Sequence, residues 1–433
     1  MKKNLLILTV LTILGTFSTL FAQEVTVSVA DVVNFWEAYD SVQTTTDRQK
    51  RLDFIQKLYI DRGTQGLKDV QELRGVKAEN WLELIDTHKE DLEKKRPFTL
   101  SVLNQKPILD KKLKELKNLY PNFKGGAVYF LVGCWFFGGT IKGNHALIGV
   151  EIAASEREDW AVELVLHEFI HTIQVPCNYH FLSHTIREGM ADFCAELLYG
   201  EKTLAELYPN MHTAFGLKNE AAIWADYKKY IHINREAYYQ WLYGLEGRVI
   251  NGKKMRDLGY FMGYQICKSY YNKAVDKKQA FQNMIELDLT SDEKAREFLL
   301  ESGYLNKKDE KFVRKMVFSR IPPDVKVGKM KTIGYKVVKN NVVFSYDLLP
   351  SQKEAKTVSI AGSFNEWTPN LTNFTMKKVS DRKFELAVPI AQFEKGKIYQ
   401  FKFVLDGNNW QEPPFEAKNT SEEGGYTNLS LRI

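Results

Sequence analysis

One motif constrains this chain more than any other feature: the pattern HExxH at residues 167–171, inside an apolar run that covers residues 160–173. The apolar residues and the two histidines recur at the spacing of an α-helix, which predicts one helix with both histidines on the same face. Because residues four apart are neighbours on a helix, the imidazoles of His167 and His171 can bind one metal ion. Glu168 lies about 100° round that helix from His167 and can reach a metal-bound water. The alternative is a helix that carries two histidines by chance, so the flanking sequence has to decide.

The flanking segments favour a metal site. Residues 146–152 are apolar and predict a strand, and zinc peptidases use a strand edge at this point to pair with an extended substrate. Residues 128–132 predict another strand, and the glycines between the two segments indicate turns. These glycines are not followed by lysine and serine or threonine, which excludes a phosphate-binding loop. Pro176 marks a break after the predicted helix, and residues 188–193 form a second helix-like stretch.

The second helical stretch offers the missing metal ligand. A catalytic zinc usually has three protein ligands, and HExxH supplies two of them. The candidates for the third are His180, His184 and Glu188. The longer pattern HExxHxxGxxH is excluded, because glutamine and cysteine stand where it requires glycine and histidine. Glu188 is the best candidate, and His184 on the same face is the main alternative. Asp192, one turn after Glu188, can accept the other N–H of a ligand histidine and fix its tautomer.

An HExxH motif followed by a helical E-G-x-A-D resembles the glutamate zincins, and specifically a bacterial family of predicted zinc-dependent proteases. The resemblance extends loosely from Asp31 to Tyr271, through the segments YIDRGTQGL at Tyr59 and GYFMGYQICKSYY at Gly259. It implies an α+β fold, in which residues 23–318 form a mainly helical zincin-type metalloprotease domain with a small sheet. It also implies Zn²⁺ as the cofactor.

Two tyrosines in the GYFMGYQ segment are candidates for a further catalytic role. Hydrolysis of a carbonyl at a zinc site needs a donor for the oxyanion that develops. Tyr264 or Tyr260 could serve, and Tyr264 fits the family resemblance better. The alternative is core packing, because aromatic residues at helical spacing usually pack.

The first 22 residues predict a secretory signal peptide. Two lysines precede an apolar core at residues 5–14, and small residues mark a cleavage site before Gln23. We therefore expect export to the periplasm or the extracellular space. Removing residues 1–22 removes two lysines and no acidic residue, so the formal charge falls from +6 to +4. That balance argues against nucleic acid as the main partner, and no membrane span is expected in the mature chain.

Export permits disulfides, and the chain has four cysteines. A bridge between Cys177 and Cys194 would pin the connection between the two metal-site helices. The alternative is that all four are small buried thiols.

The rest of the chain divides by its pattern. Helical periodicity predicts helices over residues 30–119 and again at 195–198, 221–230, 236–245, 260–275 and 291–299. Residues 319–339 hold proline, glycine and many lysines with little periodicity, which predicts a linker.

From residue 340 to residue 433 the apolar residues alternate, which predicts a small antiparallel β-sandwich. Trp367 and Trp410 follow turns, and Lys402 and Asn428 lie on the faces opposite the apolar rows. Aromatic rings stack on sugars and polar groups bind their hydroxyls, so these four residues favour a carbohydrate site. The alternative is that one or both tryptophans belong to the core.

The segments VSIAGSFNEW, YQFKFVLDGNNW and YTNLSL resemble the family-48 modules that bind glycogen and starch, as in branching enzymes. The resemblance covers nearly all of residues 340–433 and implies an early-set, immunoglobulin-like sandwich. It also implies that Trp367, Lys402, Trp410 and Asn428 contact α-glucan. The chain departs from the family by one extra residue before Trp410 and by Gly424, where a leucine often inserts into the glucan.

Three functional hypotheses follow. The first is an exported zinc-dependent peptidase with a zinc-activated water, Glu168 as general base and targeting to α-glucan by the C-terminal module. Endopeptidase action is favoured, because no G-x-M-x-N segment is present. The second is a non-catalytic envelope or glycan-binding protein on a zincin scaffold. The third is a zinc enzyme that acts on glycopeptides or glycan-linked amides.

Overall fold

The computed structural model describes residues 25–433 except 179, 234–236, 324, 350–351, 353–354 and 424–425. The predicted signal peptide and Gly424 lie outside the described residues, as does Glu236 at the start of one predicted helix. The chain forms two compact units that divide between residues 172 and 173. None of the described helices has the length and apolar character that crossing a bilayer requires.

The first unit contains a four-stranded sheet. Its strands are β1 (Val25–Ser28), β2 (Gly126–Leu131), β3 (Gly139–Lys142) and β4 (His145–Gly149). The order is β1-β2-β4-β3, with β1, β2 and β4 parallel and β3 antiparallel to β4 at the edge.

The sheet corrects two details of the sequence analysis. The strand predicted over residues 146–152 ends at Gly149, where the short helix α7 (Val150–Ala153) begins. That strand is not at the edge; the edge strand is β3, which lies in the glycine-rich segment predicted to form turns. Glycine is disfavoured in strands, so residue preference predicts turns in this segment. Close packing requires glycine in this strand all the same.

Helices surround this sheet, as the periodicity of residues 30–119 predicts. They are α1 (Ala30–Val42), α2 (Arg48–Phe54), α3 (Gln65–Arg74), α4 (Ala78–Thr87), α5 (Lys89–Leu100), α6 (Lys106–Leu119) and the motif helix α8 (Trp160–Ile173). The core is aromatic: the Tyr59 phenol and the Trp81 indole both donate to the carbonyl of Val132, at 3.0 and 2.9 Å. These bonds satisfy polar groups that burial would otherwise penalise.

The second unit begins with helices. They are α9 (Phe181–Tyr199), α10 (Leu204–Leu207), α11 (His212–Tyr227), α12 (Tyr238–Trp241), α13 (Leu258–Lys273), α14 (Lys277–Ile285), α15 (Asp292–Glu301) and α16 (Lys307–Lys315), with a hairpin of β5 (Arg248–Ile250) and β6 (Lys253–Met255). The helix predicted over 236–245 is thus only one turn, because the chain enters a left-handed turn at Tyr243 and Gly244.

The C-terminal part of the second unit consists of two antiparallel sheets on a common core. One sheet has the order β10-β11-β8-β7 and the other β13-β12-β15-β14, with β9 also paired to β12. The strands are β7 (Tyr335–Val338), β8 (Asn341–Asp347), β9 (Val358–Gly362), β10 (Lys377–Ser380), β11 (Lys383–Pro389), β12 (Ile398–Leu405), β13 (Asn409–Trp410), β14 (Thr420–Glu423) and β15 (Tyr426–Arg432). The alternating residues Phe344, Phe384, Phe401 and Leu429 fill the core.

One strand lies where the sequence analysis predicts a linker. β7 covers the last residues of the segment 319–339 and pairs with β8 as an edge strand. Three of its four residues are exposed, so no apolar alternation marks it.

The four cysteines carry free thiols, so the bridge between Cys177 and Cys194 does not form. Cys194 and Cys267 are buried, as expected for small apolar side chains, whereas Cys134 and Cys177 are partly exposed. Burial, more than any neighbouring charge, raises the pKa of Cys177 to about 11, which makes its thiol unreactive at neutral pH.

Candidate metal centre

The N-terminal end of α8 is fixed by buried hydrogen bonds. The side-chain oxygen of Gln105 accepts from the backbone N–H of Ala161 at 2.9 Å and so satisfies one of the helix's unpaired donors. The Trp160 indole donates to the carbonyl of Phe98 at 3.1 Å. These contacts hold the helix rigidly two turns before its first histidine.

The two histidines of the motif face a common point. The Nε2 atoms of His167 and His171 lie 3.1 Å apart, and the ring centroids are 4.7 Å apart at 88°. Two nitrogens at the usual 2.0–2.1 Å from a tetrahedral Zn²⁺ are about 3.3 Å from each other. The pair therefore has the separation that a shared metal ion requires.

Metal-ligating side chains lie on both α8 and α9. Glu163, His167 and His171 lie on α8, and Glu188 and Asp192 lie on α9. Two imidazoles and one carboxylate form a donor set typical of catalytic zinc.

Glu168 packs against the edge strand of the first unit. A Cβ atom added to Gly139 would lie 2.3 Å from Oε1 of Glu168, which is far inside contact distance. The carboxylate therefore occupies the space that a side chain at position 139 would need. This contact favours glycine at position 139, the first residue of β3.

The outer edge of β3 is available for pairing, since its only partner strand among the described residues is β4. The carbonyl of Gly138 accepts from the N–H of Gly149, so its backbone faces β4. Successive residues of a strand point their N–H and C=O groups to opposite sides. The backbones of Gly139 and Ile141 consequently face away from β4, and Gly139 lies against Glu168.

Glu188 lies on α9 next to a close crossing with α13. A Cβ on Gly189 would lie 2.0 Å from the backbone nitrogen of Tyr264, and one on Gly263 would lie 1.8 Å from the carbonyl of Thr185. The glycine of the E-G-x-A-D segment thus permits two helix backbones to touch. One turn after Glu188, Asp192 lies 3.3 Å from Nε2 of His212.

The other candidate third ligands have different partners. Nδ1 of His184 contacts the hydroxyl of Tyr243, and that hydroxyl lies 3.4 Å from Oε1 of Glu188. His180 forms ion pairs with Asp292 and Glu422, at 2.8 and 3.0 Å. Neither histidine joins a potential metal group among the residues described.

Tyr264, the tyrosine favoured for the oxyanion, is engaged elsewhere. Its hydroxyl donates to Glu196 at 2.6 Å and accepts from Lys268 at 2.6 Å, and the residue is 1 % exposed. Burial and then Glu196 raise the pKa of this phenol. Burial raises the pKa of Tyr260 as well, and Glu188 is the neighbouring charge that contributes most after burial.

The four residues predicted to bind carbohydrate line one pocket. The cavity measures about 570 Å³ and is lined by Trp367, Lys402, Trp410, Glu412, Tyr426 and Asn428. The two indole rings are 6.4 Å apart and tilted by 43°. Glu412 binds the Lys402 ammonium at 2.6 Å, and that ammonium lies 5.4 Å from the centre of the Tyr426 ring.

Several residues of these sites are missing from the sequence analysis. Glu412 follows Trp410 by two residues and Tyr426 precedes Asn428 by two, so the period of an extended strand could have found both. Only the weak signal of a tyrosine before a glycine marks Tyr243, and the glycines at 138–139 predict a turn rather than a strand.

Comparison with known proteins provides evidence on the candidate metal site. Residues 144–289 match the model of a family described as "Predicted Zn-dependent protease (DUF2268)", and this segment contains the HExxH motif, Glu188 and Tyr243. No curated protein matches the chain. The family is described as zinc-dependent, and the histidines and carboxylates on α8 and α9 could bind a metal. The prediction of Zn²⁺ as the cofactor is therefore confirmed. Over about a third of its length, this chain is similar to a family of metal-dependent peptidases.

Proposed function

We propose that this protein is an exported zinc metallopeptidase of the glutamate-zincin type, with endopeptidase action. The observation that carries the proposal is the pair of imidazoles on α8, since the Nε2 atoms of His167 and His171 lie 3.1 Å apart. We propose Glu188 as the third ligand. Two imidazoles and a carboxylate fit Zn²⁺ and leave a fourth position open. Bound zinc supplies Lewis acidity, which polarises a scissile carbonyl and acidifies water.

The chain's own residues have distinct roles in this proposal. His167, His171 and Glu188 hold the ion, and Asp192 orients a ligand histidine by accepting its second N–H. Glu168 acts as the general base, taking a proton from the attacking water and passing it to the leaving amine. An extended substrate pairs with the outward-facing backbone of β3, which brings its peptide bond beside Glu168. The contact between Gly139 and Glu168 supports this arrangement.

Replacing the general base tests this function. We expect purified mature protein to hold one zinc per chain and to cleave members of a broad peptide library. Glu168→Gln should keep the zinc and lose turnover by roughly 10²–10⁴-fold, since the amide cannot accept the proton. Glu158→Gln, an exposed position just before α8, is the matched control and should leave turnover unchanged. Equal cleavage by wild type and Glu168→Gln would reject the mechanism.

A second activity, binding of α-glucan, is favoured by the pocket on the C-terminal sheets. Two indoles tilted by 43° form an angled cradle that suits the curved face of an α-glucan. Lys402 and Asn428 are buried to 4 and 3 % exposure, so their polar groups are held rigidly at the pocket's base. We propose that this pocket directs the peptidase to glycan-rich surroundings.

Retention on α-glucan beads tests the second activity. The wild-type protein should elute late, and Trp367→Ala/Trp410→Ala should pass through, because stacking contributes much of the affinity for sugars. Tyr239→Ala removes an exposed aromatic residue outside the pocket and should elute with the wild type. If the wild type is not retained, glucan targeting is wrong. Retention without cleavage of any peptide would favour the glycan-binding protein over the peptidase.

A further inference from the structure

A strained turn lies beside Glu188. Tyr243 and Gly244 have φ angles of 62° and 63°, so two consecutive residues adopt the left-handed conformation. Turns of this kind normally use asparagine, aspartate or glycine, and a bulky aromatic residue is a rare outlier there. Such outliers concentrate at functional sites.

The surrounding structure holds this turn in place. The carboxylate of Asp257 accepts from the N–H of Gly244 at 2.5 Å, and Arg256 donates to the carbonyl of Gly244 at 3.1 Å. Asp257 is itself left-handed, with a φ of 62°. The backbone is thus fixed from both sides, which aims the side chain of Tyr243 in one direction.

That direction is the face of α9 that carries the metal ligand. The hydroxyl of Tyr243 contacts Nδ1 of His184 and lies 3.4 Å from Oε1 of Glu188. His184 and Glu188 are four residues apart, so they are neighbours on one helix face. A phenol has one proton, and donating it to Glu188 leaves its oxygen to accept from the N–H of His184.

We propose that Tyr243 is a positioning residue, which holds the Glu188 carboxylate in the orientation that binds the metal and is itself oriented by His184. This inference rests on the proposed zinc centre. Carboxylates that bind metals are usually hydrogen-bonded in turn, and loss of such a partner typically weakens metal affinity 10- to 100-fold. The competing explanation is simple packing of the ring against Tyr238 and Tyr260, whose ring centroids lie 5.5 and 6.2 Å away.

Removing the hydroxyl separates these explanations. Tyr243→Phe keeps the ring and its packing, so we expect metal-free protein to melt at the wild-type temperature. Its zinc dissociation constant, measured by competition with a chelator, should rise about 10-fold or more. Tyr239→Phe, four residues earlier and 60 % exposed, and Tyr264→Phe, which binds Glu196 instead, should bind zinc as the wild type does.

Two further variants sharpen the test. Tyr243→Asn suits the left-handed turn, so it should fold and still lose zinc affinity. In a Glu188→Ala background, Tyr243→Phe should have no further effect on zinc binding, because its target is gone. Wild-type zinc affinity in Tyr243→Phe would overturn the positioning role alone. A wild-type protein that binds no zinc would overturn the metal centre and this role with it.

Discussion

At the scale of single residues, the contact between Gly139 and Glu168 makes the sharpest prediction. An alanine at position 139 would bring its Cβ to 2.3 Å from Oε1 of Glu168, so the carboxylate would have to move. The backbone φ of Gly139 is not in the left-handed region, so the substitution itself is tolerated by the strand. A displacement of about 1 Å at a catalytic group can cost 10²-fold in rate.

We therefore expect Gly139→Ala to retain zinc and its melting temperature while its turnover falls by roughly 10²-fold. Steady-state cleavage of a library-derived peptide, alongside metal analysis, measures both properties. Gly138→Ala is the matched control, since its added Cβ would meet only a methyl of Ile152 at 3.4 Å, an ordinary contact. Full activity in Gly139→Ala would show that Glu168 does not act from the position next to β3.

At the scale of elements, the sequence predicts a helix or strand correctly where burial of one face imposes a regular apolar repeat over many residues. The predicted helix over residues 160–173 matches α8 residue for residue, because its apolar face spans four turns. The β-strands after residue 340 are found in the same way, since alternate residues fill one core. The strand β3 is missed because it has four residues, starts with a glycine and lies at an edge.

The sequence predicts those residues of the candidate site that lie on the regular helices α8 and α9. Spacing restricts the proposed third ligand to three candidates on or just before α9, but it does not choose among them. Tyr243 approaches Glu188 from 55 residues away through an irregular turn, and no periodicity marks such a contact. Gly189 and Gly263 could have been paired only by knowing that α9 and α13 cross at that point.

At the scale of the whole molecule, one histidine connects the helices of the second unit to its C-terminal sheets. His180 precedes the first residue of α9 and pairs with Asp292 at the start of α15 and with Glu422 on β14. In β14, the residue before Glu422 is paired with Asn428 of the proposed sugar pocket. A single charged imidazole thus joins the helix that carries Glu188 to the strands that carry the pocket.

This connection predicts a dependence of stability on pH. Burial alone would lower the pKa of His180, but Asp292 and Glu422 outweigh it and raise the pKa to about 10. A histidine whose pKa is raised by folding stabilises the folded state fully below its unfolded pKa of about 6.5. That contribution is lost as the pH rises through about 10.

His180→Gln should therefore melt below the wild type by ~2–6 °C at pH 6, for a loss of roughly 1–2 kcal/mol from a partly exposed charged pair. The difference should shrink as the pH is raised towards 11, because the wild-type imidazole then loses its charge. His232→Gln provides a control of opposite sign. Burial lowers the pKa of His232, so the wild-type protein loses stability as the pH falls. His232→Gln should therefore melt above the wild type at low pH. A gap between His180→Gln and the wild type that stays constant from pH 6 to pH 11 would mean that packing, rather than the charge on His180, joins the helices to the sheets.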